Sequence, residues 1–182
     1  SYEFNYNLVR EFFERYRQDI IDASMSDDGF KKLITKIPYQ NIKQLNELVA
    51  TWSVLYTKLH NYHWYVTGPS FFTLHAKFEE LYNEVTLTLD EYAERMLSLG
   101  KKPTATLEEH LKLSLIEEAS SKETAEEMVQ ITIDDFKKIM EALEKAMETA
   151  AEVGDDRTED LLNGTYQSLE KHAWMLKAFL GK

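Results

Sequence analysis

Residues 61–75 read NYHWYVTGPSFFTLH, with His63 and His75 on either side of a Gly68-Pro69 pair. Glycine tolerates the left-handed turn that ends many helices, and proline cannot continue a helix interior. Ser70 follows, a residue type that favours the first cap of a helix. The stretch therefore predicts one helix stopping, a tight bend, and a second helix starting, with the two imidazoles brought close across the bend.

Upstream, Leu45, Leu48, Val49, Trp52, Leu55, Tyr56 and Leu59 recur at helical spacing, which predicts a helix over about 42–66 with these side chains facing inward. Downstream, a helix capped by Ser70 runs to about Leu99, closed by Gly100 and Pro103. Thr106 and Glu109 form a capping-box signature for a short helix. Ser120 and Glu123 repeat it before a long helix ending at Gly154, and Asp156 with Glu159 marks a further start. Leu161, Leu162, Leu169, Ala173, Leu176 and Phe179 then follow at helical spacing. At the other end, Leu8, Phe12, Tyr16 and Ile20 make an i, i+4 stripe from about Tyr6 to Ala23. The sum is an all-α chain: a ferritin-like four-helix bundle with a short crossover helix and an additional N-terminal helix. Residues 1–40 form the extension, expected to be helical, and residues 41–182 the bundle domain.

A chain of 182 residues with 43% hydrophobic content supports one domain with a substantial core. The apolar runs are too short to span a membrane. Cysteine is absent, so there is no disulfide framework, and no signal-like segment opens the sequence. A cytoplasmic protein is the simplest expectation. The net charge of −11 argues against a broad nucleic-acid surface and suits attraction of cations.

The chemistry centres on the histidines and on Asp90 and Glu94, which are i and i+4 and so share one helix face. Glu79 sits one turn after His75. Imidazole with carboxylate suits iron or zinc, and carboxylate-rich sets suit iron oxidation. Yet His75 and Asp90 are fifteen residues apart on one helix, about 22 Å at 1.5 Å per residue. One chain cannot close them over a metal. Two chains with these helices antiparallel about a two-fold axis can, giving two equivalent sites per dimer. The alternative is that the histidines are packing residues and the acids a solvated face. His60, His110 and His172 read as structural. None of the five histidines has Glu three positions before it, which disfavours a di-iron centre built within one chain.

HNYHWYVTGPSFFTLHAKFEELY (residues 60–82), DEYAERMLSLGKKP (90–103) and SLEKHAWMLKAFLGK (168–182) together resemble the Dps family, the mini-ferritins that protect starved bacterial cells. The resemblance covers roughly residues 44–182. It implies a hollow homododecamer with ferroxidase centres shared across two-fold interfaces, His63 and His75 of one subunit joining Asp90 and Glu94 of its mate. It also implies Fe(II) as the metal, hydrogen peroxide as the preferred oxidant, Fe(III) stored inside, and Glu79 supporting a second iron position. Trp64, beside the centre in the family motif, would intercept oxidising equivalents, unless it is only a buried aromatic. In GDDRTEDLL (154–162), Asp156 and Asp160 match acids lining three-fold pores that admit iron. Ala151 and Glu152 stand one turn earlier, where some relatives carry another acid, so the pore is expected to be less acidic. Glu80 and Glu84 either face the cavity and nucleate mineral or form a solvated helix face.

Many Dps proteins coat DNA through basic, mobile tails. Here residues 1–43 hold seven Lys/Arg and seven Asp/Glu, and the segment reads as helical. Arg10, Arg15 and Arg17, with Lys31, Lys32 and Lys36, are the candidate DNA-binding residues, which would place the protein on the nucleoid. The alternative for that helix is packing onto the shell. The alternative for the whole protein is a DNA-binding shell whose ferroxidase centre is weak or vestigial, or a helical scaffold without chemistry.

Overall fold

The computed structural model describes residues 9–11 and 39–182. Four long helices, α1 (Tyr39–Tyr65), α2 (Phe71–Ser98), α4 (Ala125–Glu152) and α5 (Asp156–Phe179), form the bundle, and short α3 (Leu107–Leu113) lies within the α2–α4 connection. Short turns join α1 to α2 and α4 to α5, while the long connection crosses the bundle between the two pairs. This is the ferritin-like arrangement. Of the N-terminal helix expected from Tyr6, residues 9–11 are helical and the remainder lies outside the described residues.

Each helix ends for a local reason. Gly100, Gly154 and Gly181 all take left-handed φ, at 75°, 71° and 74°. After α2, the Gly100 N–H reaches the Leu97 carbonyl and the Lys101 N–H reaches the Met96 carbonyl, both at 2.9 Å. The same paired bonds follow α4 and α5, so three helices close on one glycine-dependent motif that satisfies otherwise orphaned carbonyls.

Two expected starts move. The box opening α3 is Thr106 with Glu109, as its spacing predicts. The one opening α4 is Thr124 with Glu127, not Ser120 with Glu123. The Glu123 carboxylate still accepts the Ser120 and Lys122 N–H groups, but these bonds order the crossover one turn ahead of the helix. Asp155, rather than Asp156, caps α5 by accepting the Thr158 N–H at 3.2 Å, and it also takes the Arg95 guanidinium of α2 at 2.9 Å. Ser70 stands at the cap of α2 without a side-chain bond to the backbone.

The core runs the length of the bundle. Trp52, Tyr62, Phe78, Tyr92 and Phe136 are fully buried among leucines, and Trp52 meets Tyr92 edge-on at 5.6 Å. Tyr56, expected inside, is exposed, its ring lying instead against His60 and Tyr82. The crossover is tied to α1 by four side chains, the first of them Asn46, whose Oδ1 accepts the Thr104 N–H at 2.7 Å. Thr51 Oγ1 accepts the Leu115 N–H, Lys58 donates to the Glu117 carbonyl, and Asn61 donates to Ser121. Among the described residues no helix is long and apolar enough to cross a membrane.

Candidate metal centre

The α1–α2 bend creates a pair of locked imidazoles. Gly68 at φ 100° reverses the chain, so the last turn of α1 and the first of α2 face each other. The rings of His63 and His75 stack with centroids 3.7 Å apart and planes 14° from parallel. His63 Nδ1 donates to the His75 carbonyl and His75 Nδ1 donates to the His63 carbonyl, each at 2.7 Å. A carbonyl can only accept, so Nδ1 carries the proton in both rings, and Nε2 is left with the lone pair in the neutral form. That is how a protein presents imidazole to a metal: one nitrogen fixed by a backbone bond, the other free. His63 is buried and His75 half-buried, with Phe71 stacked 4.9 Å beyond His75.

Asp90 and Glu94 lie exposed on α2, far from this pair along the same helix. Among the described residues neither side chain has an ion pair or hydrogen bond, and no group of three or more His, Asp or Glu in one chain could hold a metal. The chain thus carries two separated half-sets, imidazoles at one end of α2 and acids at the other. The acid face is also apolar in part: Leu87 and Leu97, 68% and 57% exposed, flank Asp90 and Glu94 at helical spacing. Glu79 is exposed one turn beyond His75.

The remaining candidates divide. Trp64 is 66% exposed in the single chain, and its ring sits 5.2 Å from His60. Asp156 and Asp160 are exposed, one turn apart at the start of α5, with Ala151 and Glu152 exposed at the end of α4. Glu80 and Glu84 do not form an open acid pair. Glu80 accepts from Lys77 at 3.0 Å, whereas Glu84 accepts from Ser168 and from His172 Nε2, the latter at 2.5 Å. The His172 and Ser168 bonds hold the Glu84 carboxyl below its ordinary value against the opposing effect of burial. Arg10 is exposed; Arg15, Arg17, Lys31, Lys32 and Lys36 lie outside the described residues.

Sequence reasoning passed over Tyr82 and gave His60 only a structural part. Both belong to the ring cluster around His63, Tyr82 stacking on His60 at 3.7 Å and meeting His63 edge-on at 5.3 Å. The signal was available, because Tyr82 lies three residues after Glu79 and seven after His75, on one helix face.

Residues 42–182 match the family described as Ferritin-like domain. The chain is 56% identical over 143 residues to DNA protection during starvation protein 2 of Bacillus anthracis, covering 79% of this chain and 98% of that protein. The crystal structure of Dps from Staphylococcus aureus matches with a TM-score of 0.76 and 51% identity, over 77% of this chain and 94% of that one. A Dps protein from Vibrio cholerae O1, described as a member of a broad superfamily of ferritin-like diiron-carboxylate proteins, matches with a TM-score of 0.78 and 35% identity, over 80% and 92% of the two chains. With a shared bundle, this identity and near-complete coverage of these relatives, the chain belongs to the Dps family of ferritin-like proteins.

Proposed function

We propose that the chain is a ferroxidase subunit of a Dps-type homododecamer, oxidising Fe(II) with hydrogen peroxide at centres shared between two copies and storing Fe(III) within. The observation that carries this reading is the reciprocal His63–His75 lock, which among the described residues leaves both Nε2 atoms free while the acids that would complete the set have no partner at the far end of α2. Antiparallel pairing of two α2 helices brings His63, His75 and Glu79 of one copy to Asp90 and Glu94 of the other, twice per dimer. Support comes from the description of the Vibrio relative as a diiron-carboxylate protein.

The donor set fits the substrate. Imidazole suits Fe(II), and carboxylates suit the harder Fe(III) and offset its added charge. Two Fe(II) ions each give one electron to one peroxide, whose O–O bond breaks, and two protons complete two waters. No hydroxyl radical is released, and this spares DNA. Trp64, exposed beside the centre, is suited to intercept a stray oxidising equivalent. Asp156 and Asp160 would draw Fe(II) through three-fold pores by local negative charge.

The assignment of residues 1–40 as a separate extension is part of the same proposal. The family match begins at residue 42, and the −11 charge resides wholly beyond residue 43. The extension, with six Lys/Arg and seven Asp/Glu, is close to neutral, and contact with DNA through Arg10, Arg15, Arg17, Lys31, Lys32 and Lys36 fits the name of the Bacillus anthracis relative. A cytoplasmic, nucleoid-associated location follows from that role. The competing reading, a DNA-binding shell with a vestigial centre, is separated by one experiment. Fe(II) is titrated into the assembled protein without oxygen, and peroxide is then added. Stoichiometric uptake and fast oxidation, both lost in His63→Ala/His75→Ala with shell size unchanged, are expected. A wild type that takes up no Fe(II), or a double variant that oxidises equally fast, overturns the proposal.

A further inference from the structure

Tyr82 stands at the middle of the ring cluster, gripped by α1 and facing the metal half-site on α2. Its ring stacks on His60 with planes 25° apart, meets His63 at 82° and meets Tyr56 at 78° with centroids 6.4 Å apart. The base beneath it is rigid. His60 Nδ1 donates to the Tyr56 carbonyl at 2.7 Å, and the Tyr56 and His60 rings lie 4.3 Å apart. His63 is therefore restrained on two sides, face-on by His75 and edge-on by Tyr82, as well as through its Nδ1 bond.

The other end of Tyr82 carries a different job. Glu79 lies three residues earlier on the same helix face. At that spacing the phenol and the carboxylate are neighbours joined by a side-chain hydrogen bond, and only the hydroxyl has a proton to donate to a carboxylate. A carboxylate held through one oxygen presents the other in a defined direction.

We propose that Tyr82, backed by His60, is a positioning residue of the centre: its ring sets the direction of the His63 Nε2 lone pair and its hydroxyl sets the Glu79 carboxylate. The inference rests on reading His63 and Glu79 as iron-holding groups. Partners of this kind typically change metal affinity 10–100-fold when removed. Ring and hydroxyl act on different ion positions, so the two roles separate by substitution.

Co(II), a divalent ion that peroxide-free buffer leaves unoxidised, is titrated into the assembled shell and followed by calorimetry and by its ligand-field absorption. Wild type is expected to bind two ions per centre. Tyr82→Phe keeps the ring, so the first ion binds with unchanged affinity and spectrum while the second weakens about tenfold. Tyr82→Leu weakens both and alters the first-ion spectrum. His60→Ala weakens the first, and His60→Phe, which restores the stack, recovers it. If both Tyr82 variants bind two ions like wild type and only melt at lower temperature, Tyr82 is merely a core filler and the inference is overturned. A wild type that binds no Co(II) overturns the centre itself, a distinct result.

Discussion

Lys58 and Asp135 show how much one pair of side chains can decide inside this bundle. Their Nζ and Oδ2 atoms lie 2.6 Å apart, and the side chains are 5% and 6% exposed. That oxygen makes no well-aligned hydrogen bond, so the contact is an ion pair first, with the Glu117 carbonyl accepting another Lys58 proton at 2.8 Å. Burial raises the Asp135 carboxyl above its ordinary value even with the ammonium beside it, which marks how strongly the site disfavours lone charge. Removing one partner from a buried pair costs far more than replacing both with apolar groups. Lys58→Met is accordingly expected to destabilise the protein by about 3–5 kcal/mol, and Lys58→Met/Asp135→Leu by much less. Guanidinium unfolding of both variants at one protein concentration checks this. Equal losses would mean that lost packing around Lys58, not uncompensated charge, governs the site. The same lysine holds the crossover, so its removal should also expose residues 114–124 to protease.

At the scale of elements, the sequence spells out helix ends better than helix starts. Three glycines placed just past an apolar stripe leave little choice, because the left-handed turn they adopt is costly for any other residue. Starts are less legible where caps compete. Ser120-x-x-Glu123 and Thr124-x-x-Glu127 carry the same signature four residues apart, and only the second leads directly into the apolar face at Met128 and Val129. The His63–His75 approach was readable from the Gly-Pro bend, but the reciprocal carbonyl bonds were not, since they depend on the exact pitch of two helices. Tyr56 shows the opposite failure: its spacing fits the inward stripe, yet it lies at the surface, its ring tilted against His60 and edge-on to Tyr82. Glu84 likewise reads as a free acid until His172 and Ser168, far along the chain, are brought to it. The N-terminal extension gives a prediction at this scale. Deleting residues 1–40 should abolish any gel-shift of DNA while leaving the shell intact, and full-length binding should weaken steeply with salt, as contacts to phosphate do. Undiminished binding after the deletion would remove the extension from that role.

For the whole molecule, the decisive question is whether a centre draws its ligands from one chain or two. The distance along α2 forbids one chain, and the partly apolar acid face offers the second copy a surface. This geometry has a consequence that no single-chain site can imitate. Take one chain lacking its imidazoles, His63→Ala/His75→Ala, and another lacking its acids, Asp90→Asn/Glu94→Gln. Each assembled alone has no complete centre. Co-expressed, they form mixed dimers in which one centre combines both defects and the other combines the intact acids of the first chain with the intact imidazoles of the second. Random pairing makes half the dimers mixed, so mixed shells should regain about a quarter of the wild-type centres. Anaerobic Fe(II) uptake per shell, with tags confirming that both chains are present, measures the recovery. A mixed shell as empty as its two parents would place the whole ligand set within one chain, where the spacing of His75 and Asp90 allows no metal, and would leave the two-fold pairing without a function.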